Sequence, residues 1–280
     1  MSVSSVEAAR RALALRLREI RVERGHTAKE LARLAGWHDG SKVSKIEHGR
    51  QTPSADDIRA WCRHCDASDQ IDDLMESMRI VEGMYVEWRR RQRTGMRRLQ
   101  ESYVPLYEAT SHFRIYQSLC VPGLLQTEEY ASVLLGAIIS AQGVPDDTQA
   151  AVAARIRRQQ VLHEGTRRFA ILLEESVLRT GLGGSEVMAG QLNRLTAAMS
   201  LPRVSLGIIP ATVNRTAWPT VPFWVYDENR VIVELPSAEV TITQPREIAI
   251  YTATFRSHAK DAVYGIQARA LIDSIMSEIS

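Results

Sequence analysis

Along the first 92 residues, apolar side chains return at intervals of three and four, which predicts a series of short amphipathic helices. Leu13, Leu17 and Ile20 mark a first helix from about Ala9 to Arg24, with Gly25 as its stop. Thr27 and Glu30 form a capping box for a second, whose inner face reads as Leu31, Leu34 and Ala35 and which Gly36 ends. The turn WHDG leads to a third, and Ser54 with Asp57 caps a fourth that runs through Trp61 to Cys65. A fifth, from about Asp69 to Gln92, carries Leu74, Met78, Val81, Tyr85 and Trp88 at alternating spacings of four and three. That spacing suits core packing, or a seam against a second copy of the chain. The run RRRQRTGMRR, Arg89 to Arg98, then interrupts the pattern as a solvated linker or a phosphate-touching segment.

Beyond residue 100 the pattern mixes helix and strand. Helices over about 100–112, 127–140 and 146–163 precede a strand at Phe169 to Leu173 and a helix at Glu186 to Met199. VSLGII, PFWVYD, RVIVEL and EVTIT read as strands, with Asp227 to Asn229 as a hairpin turn. Helices from about Arg246 to Tyr264 and from Ile266 to Ile279 close the sequence.

The third helix has an unusual composition. In SKVSKIEHGRQTP, Val43 and Ile46 share one face, while Ser41, Ser44, Lys45 and His48 fall at i, i+3, i+4 and i+7 on the other. Glu47 lies beside the apolar edge, so the outer stripe holds donors and no carboxylate; Gly49 supplies the stop. A short helix with such a face suits a DNA groove, and a solvated face on a surface helix fits the same residues. The charge distribution bears on the two readings. Residues 10–50 hold eleven basic against five acidic side chains, whereas residues 101–280 hold 15 against 18. The excess expected where phosphates are approached is therefore concentrated around this helix.

Composition is that of a soluble globular protein, 45% apolar and 24% charged over 280 residues. The opening segment lacks a signal-type apolar core and ASVLLGAIISA is too short to span a bilayer, so a cytoplasmic protein that does not engage membranes is expected. CRHC, with Cys62 and Cys65, has the spacing of a thiol redox pair or half a zinc site, but Ile58, Trp61, Cys62 and Cys65 also form one apolar stripe. With Cys120 alone elsewhere, the cysteines read as buried helix residues, and no metal or cofactor is expected.

RVERGHTAKELARLAG followed by SKVSKIEHGRQTPS resembles the Xre family of phage-repressor-type helix-turn-helix domains over residues 13–65, through the Leu-Ala pair of helix two, V-S-K-I-E-x-G of helix three and the proline beyond it. The resemblance implies base-facing positions at Gly40, Ser41 and Lys45, with Lys42 and Ser44 beside them. His48 and Arg50 complete the candidate DNA-binding set at this helix. The family's common glutamine at the start of helix two is Ala28, so its phosphate contact would come from Thr27, Lys29 or a backbone amide; the turn WHDGS is also one residue longer than usual. An arginine–glutamate pair that holds such domains together maps to Arg21 and Glu47.

FRIYQSLCVPGLLQTEEYASVLL, RIRRQQVL, LLEESVLRTGLGG and QLNRL resemble the C-terminal domain of WhiJ-like, antitoxin-like actinobacterial regulators across residues 101–280. That group implies control of development or antibiotic production and a small partner protein encoded nearby. Physically, Pro122-Gly123 forces a turn and Thr127 with two glutamates suits a helix start. Arg155, Arg158 and Gln159 share a helix face able to clamp an anion or a partner carboxylate, or to serve a structural ion-pair network. TGLGG can cradle a phosphate, or simply join two helices.

The expected fold class is α+β, with an all-α five-helix phage-repressor-like domain followed by a mixed α/β domain holding a small, largely antiparallel sheet. Its domains are 9–68 for DNA binding, 69–99 for a long helix and basic linker, and 100–280 for sensing or partner binding. The expected function is a transcriptional regulator, a homodimer on an inverted repeat of double-stranded DNA, modulated by a small partner protein or ligand. An antitoxin-like scaffold that neutralises a partner is the alternative. An enzyme is not expected: the seven histidines are scattered, G-x-S-x-G, H-E-x-x-H and P-loop patterns are missing, and adjacent Glu174 and Glu175 point to opposite faces of a strand.

Overall fold

The computed structural model describes residues 5–87, 92, 95–236 and 238–279. The chain divides into two compact units, Met1–Val86 with Val240–Ile242, and Glu87–Glu239 with Thr243–Ser280.

In the first unit, α1 (Ser5–Glu23), α2 (Ala28–Leu34), α3 (Ser41–Glu47), α4 (Ala55–His64) and α5 (Ile71–Met84) enclose one apolar core. Leu17, Leu31, Val43, Ile58, Trp61 and Cys62 are its fully buried centre. The Trp61 indole N–H donates to the Leu17 carbonyl at 2.9 Å, so burial leaves no donor stranded. Both capping boxes form, Thr27 with Glu30 and Ser54 with Asp57. Leu34, expected inside, is 37% exposed, and Ala32 takes the inner position. The fifth helix is shorter than its periodicity suggests and belongs to this unit rather than to a linker. It stops at Met84, where Gly83 weakens the helix and Tyr85-Val86 favour extension into the short strand β1 (Tyr85–Glu87). Leu74 and Met78 are buried in the core instead of forming an open seam; Trp88 and half of the following basic run lie outside the described residues.

The second unit begins with α6 (Met96–Ser102) and α7 (Val104–Ala109), a break set by Pro105 where one continuous helix was expected. The strands that follow are β2 (His112–Gln117), β3 (Arg168–Glu174), β4 (Val204–Ile209), β5 (Phe223–Tyr226), β6 (Arg230–Glu234), β7 (Ala238–Ile242), whose last three residues group with the first unit, and β8 (Val263–Tyr264). They lie side by side in the order β7-β6-β5-β2-β3-β4-β8. The sheet is neither small nor largely antiparallel at its centre: β2 runs parallel to β3 and β3 to β4, while β5, β6 and β8 pair antiparallel. Parallel neighbours need helical crossovers. Here α8 (Glu128–Gln142) and α9 (Thr148–Arg158) lie between β2 and β3, and α10 (Glu175–Arg179) and α11 (Gly184–Ala198) between β3 and β4. The segment β2, placed in a helix and loop by its sequence, is central to the sheet. Its Phe113 and Ile115 enter the main core with Phe169, Ile171, Leu206 and Trp224. On the opposite face α12 (Pro245–Asp261) packs across β2, β4 and β5, and α13 (Gly265–Ile279) adds Ala268, Ile272 and Ile275 to the main core. The β5–β6 turn holds Asp227 at φ +51°, and its carboxylate accepts the His112 amide at 2.8 Å.

Gly207 on β4 shows how tightly this sheet is covered. A Cβ there would stand 2.6 Å from the Tyr264 ring and 2.9 Å from Leu172 Cδ2. Gly207→Ala is expected to destabilise the second unit by about 1–3 kcal/mol through overpacking. Gly190→Ala, whose Cβ meets nothing within 4 Å on α11, should be neutral or stabilising. Thermal melts of the two variants check this; equal Tm values would remove the packing argument.

Candidate nucleic-acid interface

The two helices of the motif are fixed by their own ends. The Thr27 hydroxyl accepts the Glu30 amide at 3.2 Å and Glu30 accepts the Thr27 amide at 2.7 Å, so α2 starts at a defined residue. Gly40 caps α3 without a side chain; instead the Asp39 carboxylate accepts the Ser41 amide at 2.7 Å. A Cβ on Gly40 would lie 3.3 Å from the Ala28 carbonyl carbon and the Lys29 nitrogen. Glycine at this position therefore lets the start of α3 close against the start of α2, and the residue that the resemblance places against a base is also a spacer between helices.

Packing sorts the side chains of α3. Val43, Ile46 and Glu47 are buried, and Ser41, Ser44 and Lys45 are exposed, as are His48 and Arg50 beyond the helix and Thr27 and Lys29 at the start of α2. Glu47 is withdrawn by Arg21, whose Nε and Nη2 donate to its two carboxylate oxygens at 2.5 and 2.9 Å while Nη1 donates to the His26 carbonyl. The pair raises the Arg21 guanidinium pKa and removes the only acid of α3 from the outer surface. Asp39 is the acidic exception beside the helix start, held below the usual carboxylate range by hydrogen bonds from Ser41. His48 Nδ1 lies 2.7 Å from the Ser44 carbonyl, which leaves Nε2 as its outward polar atom.

Lys42 departs from the rest. Its ammonium donates to Asp57 at 2.5 Å and stands 4.8 Å from the Trp37 ring centroid. Burial pushes the Asp57 carboxyl up, but Lys42 and the Ser54 amide outweigh it and hold the group below its ordinary range. A lysine grouped with the DNA-facing residues thus ties α3 to the cap of α4.

In the second unit, Arg155, Arg158 and Gln159 do come together, and among the described residues their hydrogen-bond partners are amides and carbonyls rather than carboxylates. Arg155 donates to Gln100 Oε1 at 3.0 Å and to Gln126 Oε1 at 2.7 Å. Arg158 donates to the Gln100 carbonyl at 3.0 Å, and the Gln159 amide donates to the carbonyls of Gly123 and Gln126. Gln191 secures the same VPGLLQT loop by donating to the Leu125 carbonyl and accepting the Thr127 amide. Gln126 and Gln191 lie in quoted segments, VPGLLQT and QLNRL, but neither they nor Gln100 were singled out, because isolated glutamines have no diagnostic spacing. Glu174 is bound by Arg215 and by the Tyr116 hydroxyl, and Glu175 by Arg179 and the Ala211 amide, so the adjacent glutamates serve separate partners. TGLGG joins α10 to α11, with Gly183 and Gly184 at positive φ. Cys62 and Cys65 sit in the first core, where burial pushes the Cys62 thiol up to about 11.

Residues 100–274 match the model of a domain of unknown function (DUF5753), and residues 12–74 that of a helix-turn-helix domain. No curated protein matches the chain. Among solved structures, the archaeal chromatin protein TrmBL2, described as showing a novel mode of DNA binding, is 11% identical over 74% of this chain and 67% of that one, with a TM-score of 0.33. A likeness that loose says nothing of shared function. Among the described residues, no helix is long and apolar enough to cross a membrane.

Proposed function

This chain belongs to the DUF5753 family, and from that premise, with a helix-turn-helix domain ahead of the family's domain, we propose a sequence-specific DNA-binding transcriptional regulator. The observation that carries the reading is the exposed face of Ser41, Ser44 and Lys45, from which Glu47 has been withdrawn into a buried pair with Arg21. Donors without a competing carboxylate suit the acceptor-rich edges of the major groove, and Thr27 and Lys29, exposed at the start of α2, would supply phosphate contacts. In this reading the protein is an Xre-type, WhiJ-like cytoplasmic regulator without enzymatic activity. It acts as a homodimer on an inverted repeat, and its second unit binds a small partner protein or ligand that modulates DNA binding.

Lys45→Ala should weaken binding to the specific site by about 1–3 kcal/mol and leave binding to random duplex nearly unchanged, if Lys45 reads a base. Titration of both duplexes at one fixed salt concentration checks it. Equal losses on the two would make Lys45 a phosphate contact. A stoichiometric small protein that blocks DNA binding completely would favour the antitoxin-like scaffold instead.

A further inference from the structure

The second unit contains a cavity of about 380 Å³ whose walls differ sharply in character. Leu134 and Ile138 from α8 and Trp224 from β5 form an apolar side, and Leu119, 66% exposed, stands at the mouth. The guanidinium groups of Arg155 and Arg158 line another part, next to Tyr103 and Tyr107. Drug-sized ligands are held by sites of this size, mostly apolar with a few placed polar groups.

The polar groups are incompletely satisfied. Among the described residues, buried Arg158 Nε has no acceptor, and the buried side-chain oxygens of Gln92 and Gln142 have no donor. Both arginines have neutral hydrogen-bond partners, and among the described residues neither guanidinium makes an ion pair. Burial first, and the neighbouring Arg158 charge second, push Arg155 down to about 10, a value at which it still carries its proton at neutral pH. Among the described residues of the cavity wall, Arg155 and Arg158 are the cations, and Glu234 at the exposed rim offsets part of the Arg155 charge. Two cations held in a partly dry wall are costly unless an anion joins them.

We propose that this cavity is the binding site of a small organic carboxylate with an apolar or aromatic body, the carboxylate held by Arg155 and Arg158 and the body against Leu134, Ile138 and Trp224. The inference rests on the reading of the second unit as the sensing part, and it supplies the site and the ligand class. Arginine is suited to a carboxylate because its planar donors match both oxygens, and a compact apolar body would displace water from the opposite wall.

The test is calorimetric titration of the full-length protein with 2-naphthoate and decanoate and with their primary amides, accompanied by fluorescence in which Trp224→Phe identifies the local signal. Both carboxylates are expected to bind at least about tenfold more tightly than their amides, since a charged hydrogen bond is lost in the exchange. Arg158→Gln should remove most of that preference. Leu119→Asp, at an exposed position on the cavity mouth, should weaken the carboxylates more than the amides, because it adds a like charge there. Failure of both carboxylates to bind, amides that bind as well, or a preference untouched by both substitutions would overturn the site. Whether a bound carboxylate shifts DNA affinity is measured separately and bears only on the sensing role.

Discussion

Arg21→Ala is expected to cost the first unit about 3–5 kcal/mol, because it leaves the Glu47 carboxylate buried without its cation. The side chains of Arg21 and Glu47 are 11% and 5% exposed, so water cannot substitute for the lost partner. The substitution also frees the His26 carbonyl from its guanidinium bond, loosening the start of the turn into α2. In a unit of this size each kcal/mol corresponds to about 4–8 °C in Tm, so the transition of the first unit should fall by well over ten degrees. The double variant Arg21→Ala/Glu47→Ala should recover part of the loss, since neither charge is then stranded. A single variant that melts with the parent would show that the pair is not needed by the fold.

On DNA, the full-length protein is expected to bind an inverted repeat about 10²–10⁴-fold more tightly than a single half-site, with a sharp dependence on half-site spacing. One helix as short as α3 reaches only a few base pairs, too few to discriminate against a genome of competing sites. Two linked copies gain affinity through effective concentration without any new base contact. Inserting half a helical turn between half-sites should therefore abolish most of the gain. Equal affinity for the half-site and the repeat, with no response to spacing, would sink the dimer reading while leaving the contacts of α3 untouched.

The first unit was legible where its determinants are local. The capping boxes at Thr27 and Ser54 and the glycine stops all lie within a turn of the residues they control, and the donor stripe of α3 follows from helical spacing alone. The pairing of Lys42 was not legible because its partner Asp57 is on another helix and had already been assigned the task of capping. Leu34 was misread because a three-residue spacing from Leu31 does not say which side of so short a helix the neighbours occupy. In the second unit the hydrophobic runs disclosed β3 to β7, yet β2 was taken for helix and loop, and strand order cannot be read from runs at all. The pairing of Phe113 with Phe169 on one side and Tyr226 on the other joins segments far apart in sequence. The cavity was invisible for a related reason: its arginines share one helix face, but the glutamines and aromatic rings around them come from α6, α7, β2, β5 and the VPGLLQT loop.

That same pairing sets an order of events during synthesis. The helices of the first unit meet their neighbours over short stretches of chain, which favours closure in microseconds to milliseconds. The parallel strands of the second unit must wait: β2 cannot be flanked until β3 and then β5, more than a hundred residues behind it, have left the ribosome. A nascent chain would thus carry the five helices of the first unit already packed while β2 still exposes an unpaired edge rich in Phe113, Ile115 and Tyr116. For the length of that interval mispairing threatens the sheet and not the helices, and destabilising changes in β2 should appear first as lost yield of full-length protein rather than as altered recognition of DNA.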